Sequence, residues 1–145
     1  MILLSILLIS VMVYADQYTK KRARNELVGK KINCKYIKLG LVKNEGAFRG
    51  LLKKHPLILV GVQLIGLVSI LILLGIQLIV KKDKLLSFGL TCLLSGALGN
   101  VIDRLARKYV TDFFAVKWTK NLYYNLADLF IFIGAIITLI RGHKL

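Results

Sequence analysis

Residues Pro56–Val80 run for 25 positions without a charged side chain. A helix of that length reaches about 37 Å, more than the roughly 30 Å hydrocarbon core of a bilayer. A segment so long and so uniformly apolar cannot be covered by a domain of 145 residues, and it points to a membrane. Leu85–Ile102 adds a second uncharged run of 18 residues. Two further apolar segments lie at the ends, Met1–Ala15 with 15 residues and Leu129–Ile140 with 12. Each reaches spanning length only by admitting an aspartate, Asp16 in one case and Asp128 in the other, so both acids are expected at or just inside the membrane boundary. The sequence therefore reads as an all-α membrane protein of one domain, residues 1–145. Its four transmembrane helices are expected at about 1–21, 56–80, 85–107 and 122–141.

Val13-Tyr14-Ala15 has the small-residue look of a signal-peptide cleavage site. No Lys or Arg precedes the apolar run, however, and the segment is read as a retained helix. Cys34 and Cys92, one in a loop and one in a helix, form neither a disulfide framework nor a metal-ligand spacing. The net charge of +15 accompanies no isolated basic stripe with stacking aromatics, so anionic lipid headgroups are the expected partner rather than nucleic acid.

Because helices alternate in direction, one membrane face receives Asp16, Glu26, Glu45, Asp103, Asp112 and Asp128. Only Asp83, of seven acidic residues, falls on the other. An acid at a helix end is costly if it slides into lipid, which makes Asp103 and Asp128 notable. The loop Lys20–Lys54 carries 12 basic residues and Arg104–Lys120 carries 5, against 3 in the loop between helices 2 and 3 and 2 at the C-terminus. Taken alone, that count would place the acidic face in the cytoplasm.

In the first loop, Ile32, Cys34 and Tyr36 alternate with polar residues, and Ile37, Leu39 and Leu41 alternate on the opposite parity. This pattern predicts a small β-sheet between helices 1 and 2, with a bulge or turn near Tyr36. The third loop, rich in Tyr109, Phe113, Phe114, Trp118, Tyr123 and Tyr124, is expected to lie on the bilayer interface.

On helix 3, Asn100, Asp103, Arg104 and Arg107 share a face, and Ser95 with Gly99 forms a small-xxx-small pair suited to a close neighbour. On helix 4, Asn125 and Asp128 share a face at the same depth. Asp103 has Arg104 and Arg107 as neutralising neighbours, whereas no cation lies within a turn of Asp128. Asp112, in the connecting loop, is placed to fold back toward it. Two carboxylates around one water cannot both ionise comfortably, so they share a proton, as an aspartic-protease dyad does. The serines lack a nearby His or intramembrane Lys, and no two His stand at metal-ligand spacing, so neither nucleophilic catalysis nor a metal or cofactor is expected.

The stretches "DQYTK" (16–20), "KNEGAF" (43–48), "GALGNVIDR" (96–104), "VTDFF" (110–114) and "YNLADLFI" (124–131) resemble, in order and spacing, the lipoprotein signal peptidase family, also known as signal peptidase II. The resemblance covers nearly the whole chain. It implies an aspartic endopeptidase that cleaves diacylglyceryl-modified bacterial prolipoproteins just before the lipidated cysteine, with Asp112 and Asp128 as the catalytic pair. Asp16, Lys20, Asn44, Gly46, Asn100, Asp103, Arg104, Asn125 and Ala127 match positions that support the pair or bind around it. The resemblance also implies a location in the bacterial cytoplasmic membrane, with both termini in the cytoplasm and the sheet and active face outside. Long loops obey the charge rule weakly, and the expectation follows the resemblance. Expected partners are lipidated prolipoproteins and membrane phospholipids, with the protein acting as a monomer. The chain departs from the family at "NEGAF", one residue shorter than usual and carrying Glu45, and at Tyr124, where Phe is common. The alternative is a non-catalytic homologue or small membrane assembly subunit whose polar faces serve only helix contacts.

Overall fold

A computed structural model describes residues 1–46, 52–81, 83–119 and 122–142. Ala47 and Phe48, which end one of the motifs above, lie outside the described residues. The order is α1 (Ile2–Glu26), β1 (Lys31–Asn33), β2 (Ile37–Asn44), α2 (Pro56–Ile76), α3 (Lys84–Arg107), β3 (Val110–Val116) and α4 (Leu126–Gly142). Local chemistry sets the ends. Proline at the first position of α2 donates no N–H where none is needed. Asp83 caps α3 by accepting from the N–H groups of Leu85 and Leu86 at 3.0 and 2.9 Å. At the far end of α3, Lys108 turns the chain in a left-handed conformation. The end of the Pro56–Val80 run, together with Lys81, winds as a π-helical turn, Gln77–Lys81.

Among the described residues, three helices are long and apolar enough to cross a membrane: Ile2–Glu26, Pro56–Val80 and Lys84–Arg107. The most apolar window is 67% buried in α3 but only 11% buried in α1 and in Pro56–Val80, which makes α3 the centre of the bundle. The other helices pack on it. Leucines 74, 86, 90 and 94 form the core between α2 and α3. Small residues set the α3/α4 spacing. A methyl group at Gly96 would run into the Ala127 carbonyl and Ile131, and one at Gly134 would lie 2.6 Å from the Gly89 carbonyl. Ser95 and Gly99, singled out as a contact pair, are both buried, and Gly99 lies against Asp16 and Ala127.

Several boundaries differ from the expectation. α1 continues five residues past 21, its cation-rich last turns carrying it beyond the apolar run. α4 begins at Leu126 rather than 122, because Tyr124 is engaged in a β-bridge with Phe114. At 17 residues, α4 spans about 26 Å. The sheet is also larger than expected. It is antiparallel in the order β1-β2-β3, with its third strand drawn from the loop read as an interfacial segment. Val110, Thr111, Phe113, Phe114 and Val116 are strand-forming residues, and their aromatic content satisfies the sheet as well as the interface. Ile37 pairs with Val116 and Asn44 with Val110, with a bulge between Leu39 and Val42. The expected turn near Tyr36 is present, closed by Cys34 N–H to the Ile37 carbonyl at 2.9 Å. The third strand matters because it carries Asp112.

Candidate functional site

The polar residues of α1, α3, β3 and α4 meet at the end of the bundle that adjoins the sheet. α4 starts there with a reciprocal cap. Asn125 Oδ1 accepts from the N–H of Asp128 at 3.0 Å, and Asp128 Oδ2 accepts from the N–H of Asn125 at 3.1 Å. The cap fixes the Asp128 carboxylate and leaves Oδ1 to accept from Asn100 Nδ2 at 2.9 Å. Asp112 is gripped from two sides. Asn125 Nδ2 donates to its Oδ1 at 2.6 Å, and Asn44 Nδ2, at the end of β2, donates to its Oδ2 at 3.0 Å. Asn125 therefore holds one carboxylate with its backbone and the other with its side chain.

Both aspartates open onto one cavity of about 330 Å³, also lined by Asn44, Gln63, Asn100 and Arg104. Asp112 is 3% exposed, and neither carboxylate forms an ion pair among the described residues. Burial, followed by the nearby charge of Asp128, pushes the Asp112 carboxyl up to about 6, against the lowering pull of the Asn125 and Asn44 hydrogen bonds. Asp112 thus sits in an electrostatic situation that favours a retained proton.

Behind them lies a fully buried charged layer. Lys20 Nζ is 2.8 Å from Asp16 Oδ2 and 3.9 Å from Asp103 Oδ2, and it donates to Asn100 Oδ1 at 3.0 Å. That contact orients the Asn100 amide, so that its nitrogen faces Asp128. Asp16 Oδ1 accepts from the N–H of Ala127 at 2.9 Å, tying α1 to the first turn of α4. Asp103 joins Arg107 at 2.8 Å and accepts from the N–H of Thr111 at 2.8 Å, anchoring β3 one residue before Asp112.

Of the eleven residues named from the sequence, all lie in this cluster. The expected pairing of Asp103 is narrowed to Arg107, because Arg104 turns the other way and donates to the Gly46 carbonyl at 2.7 Å. Gly46 N–H in turn donates to Asn44 Oδ1 at 3.2 Å. Sequence reasoning missed Arg24, which donates to Thr111 Oγ1 at 2.9 Å and lies 3.8 Å from Asp103. The spacing of residues 16, 20 and 24 along one face of α1 was the available signal. It also missed Gln63, a lone amide in the most apolar helix.

Fold and site together define a membrane protein that holds two carboxylates over one polar cavity at the end of its helix bundle. A family model described as signal peptidase (SPase) II matches residues 8–143. Among similar curated proteins is a lipoprotein signal peptidase of Caldanaerobacter subterraneus, 33% identical over 137 residues and covering 92% of each chain. Another, from Moorella thermoacetica, is 37% identical over 136 residues, covering 90% of this chain and 87% of that one. A solved bacterial membrane enzyme superposes with a TM-score of 0.80 at 27% identity, over 97% of this chain and 87% of that chain. The chain belongs to the signal peptidase II family.

Proposed function

We propose that this protein is an aspartic endopeptidase that removes signal peptides from diacylglyceryl-modified bacterial prolipoproteins, cutting just before the lipidated cysteine. The observation that carries the reading is the pair Asp112 and Asp128 on one cavity, each held by amide donors rather than by cations. Amides orient a carboxylate without forcing it to stay ionised, so the pair keeps a proton to share. The ionised member takes a proton from water, and the water oxygen attacks the scissile carbonyl. The protonated member hydrogen-bonds the carbonyl oxygen and supports the tetrahedral intermediate. A proton then passes to the leaving nitrogen as the C–N bond breaks. Arg104 Nε is buried without a partner among the described residues, and Arg104 lines the cavity, which suits it to a polar group of the substrate. Asp16, Lys20, Asn44, Gly46, Asn100, Asp103, Asn125 and Ala127 position the pair.

In this reading all four helices cross the bacterial cytoplasmic membrane, with both termini inside and the cavity and sheet outside. The protein acts as a monomer on its lipidated substrates, and the cations of the sheet face phospholipid headgroups. A reporter fused after the C-terminus is expected to be active only as a cytoplasmic marker; activity as an extracytoplasmic marker would overturn the orientation.

The raised Asp112 pKa also gives the fold a pH dependence. Folding favours the protonated carboxyl, so this stabilisation is complete below the unfolded value of 3.8 and is lost as pH rises through about 6. Thermal unfolding in detergent should show wild type losing stability relative to Asp112→Asn across that window. Parallel curves for the two proteins would contradict the assignment. Cleavage of a lipidated prolipoprotein should likewise fall on the alkaline side as the shared proton is lost.

A further inference from the structure

α2 and α4 both lean on α3 and make little contact with each other, which leaves a crevice between them floored by α3. The carboxylate cavity occupies one end, with Gln63 of α2 and Ile131 of α4 in its wall. At the other end a second cavity of about 330 Å³ is lined by Leu73 and Ile76 from α2, Leu86 and Leu90 from α3, and Thr138 from α4, with Gln77 at the start of the π-helical turn. It is nearly all hydrocarbon apart from two polar groups. Gln77 is 4% exposed, and its Oε1 has no hydrogen-bond partner among the described residues; nor does the buried Thr138 Oγ1. Gln63 Oε1 is unpartnered in the same way at the opposite end. An unsatisfied buried amide is costly in a lipid-facing protein, and π-helical turns recur at functional sites, so an occupant that supplies donors would satisfy both groups.

The occupant has to be apolar along its length and rich in donors at one end. A signal sequence entering the crevice with its scissile bond at the carboxylates has those properties. Its apolar stretch is helical, and the first turn of any helix leaves four N–H groups without partners. Gln63 and Gln77 are 14 residues apart, four turns along the same side of α2, or about 21 Å. That separation matches the apolar core of a signal sequence, about 7–15 residues long. We infer that Gln77 and Thr138 form a latch for the first helical turn of the signal sequence, Gln77 Oε1 and Thr138 Oγ1 accepting from its unpaired backbone N–H groups. The latch acts on binding and on the length of signal accepted, not on the chemical step. This inference rests on the hydrolytic reading given above.

The test uses purified full-length wild type and the double variant Gln77→Leu, Thr138→Val, both side chains being replaced by apolar groups of similar size. Each is assayed on a diacylglyceryl-modified prolipoprotein and on a version whose apolar signal core is shortened by four residues. Thermal unfolding checks the fold. For wild type, KM should rise about tenfold on the shortened substrate, and the variant should show a similar rise on the full-length substrate with kcat unchanged. The variant should no longer separate the two substrates. If wild type cleaves and the folded variant keeps its KM and its length discrimination, the latch is wrong and the hydrolytic reading stands. If the variant does not fold, Gln77→Glu, which keeps an acceptor, must retain KM and length discrimination, and their loss overturns the latch. If wild type cleaves no lipidated prolipoprotein, both readings fall.

Discussion

Replacing Asp112 with asparagine should lower signal-peptide cleavage by about 10³-fold or more while leaving the protein folded, and Asp128→Asn should do the same. Asparagine has the shape of the acid but can neither take a proton from water nor give one to the carbonyl. The structural cost differs between the two sites. At Asp112, an asparagine Oδ1 can still accept from Asn125 Nδ2, while its own amide nitrogen would face Asn44 Nδ2, a clash relieved by turning the Asn44 amide at the expense of its bond from the Gly46 N–H. At Asp128, the carboxylate accepts from Asn100 and also closes the cap of α4, so the substitution should cost about 1 kcal/mol in addition to activity. Cleavage on a gel and thermal unfolding on the same preparations separate the two effects. Equal losses of stability and activity in both variants would favour a structural role for the pair.

The second large effect is expected at Lys20. Substitution by methionine keeps the length of the side chain but removes the cation from a fully buried layer. Asp16 then faces no cation at 2.8 Å, and Asn100 Oδ1 loses a donor. Breaking one partner of a buried pair typically costs about 3–5 kcal/mol, and the variant should lose most of its folded yield in detergent. The double substitution Lys20→Met, Asp16→Asn removes both charges and should recover much of that stability. It should not recover activity, because the Asn100 amide is no longer held toward Asp128. A double variant as active as wild type would show that the charged layer has no part in positioning the carboxylates.

Much of this site was legible because membrane segments make acids expensive: Asp16, Asp103 and Asp128 stood out as carboxylates at helix ends where loop positions were cheap. Helical spacing then put Asn100 with Asp103, and Asn125 with Asp128, on facing surfaces. The conspicuous failure was β3. Its run of Val, Thr and Phe satisfies a bilayer interface and a sheet edge equally well, and only pairing with β2, distant in sequence, decides between them. The start of α4 was misjudged for a related reason, since the bridge of Tyr124 to Phe114 is a tertiary contact that no local pattern announces. Arg24 and Thr111 were missed because their partnership spans 87 residues. Helical proximity offered both Arg104 and Arg107 to Asp103, and the choice of Arg107 was not legible because the Gly46 carbonyl that Arg104 bonds arrives from the first loop.

The most direct test of the central claim is the identity of the new N-terminus made by the purified protein. Incubated in detergent with a diacylglyceryl-modified prolipoprotein, wild type should release the signal peptide and leave the lipidated cysteine as the first residue, identified by mass spectrometry. Asp112→Asn and Asp128→Asn should leave the precursor intact. Absence of cleavage by folded wild type, or the same cleavage by either variant, would contradict the account.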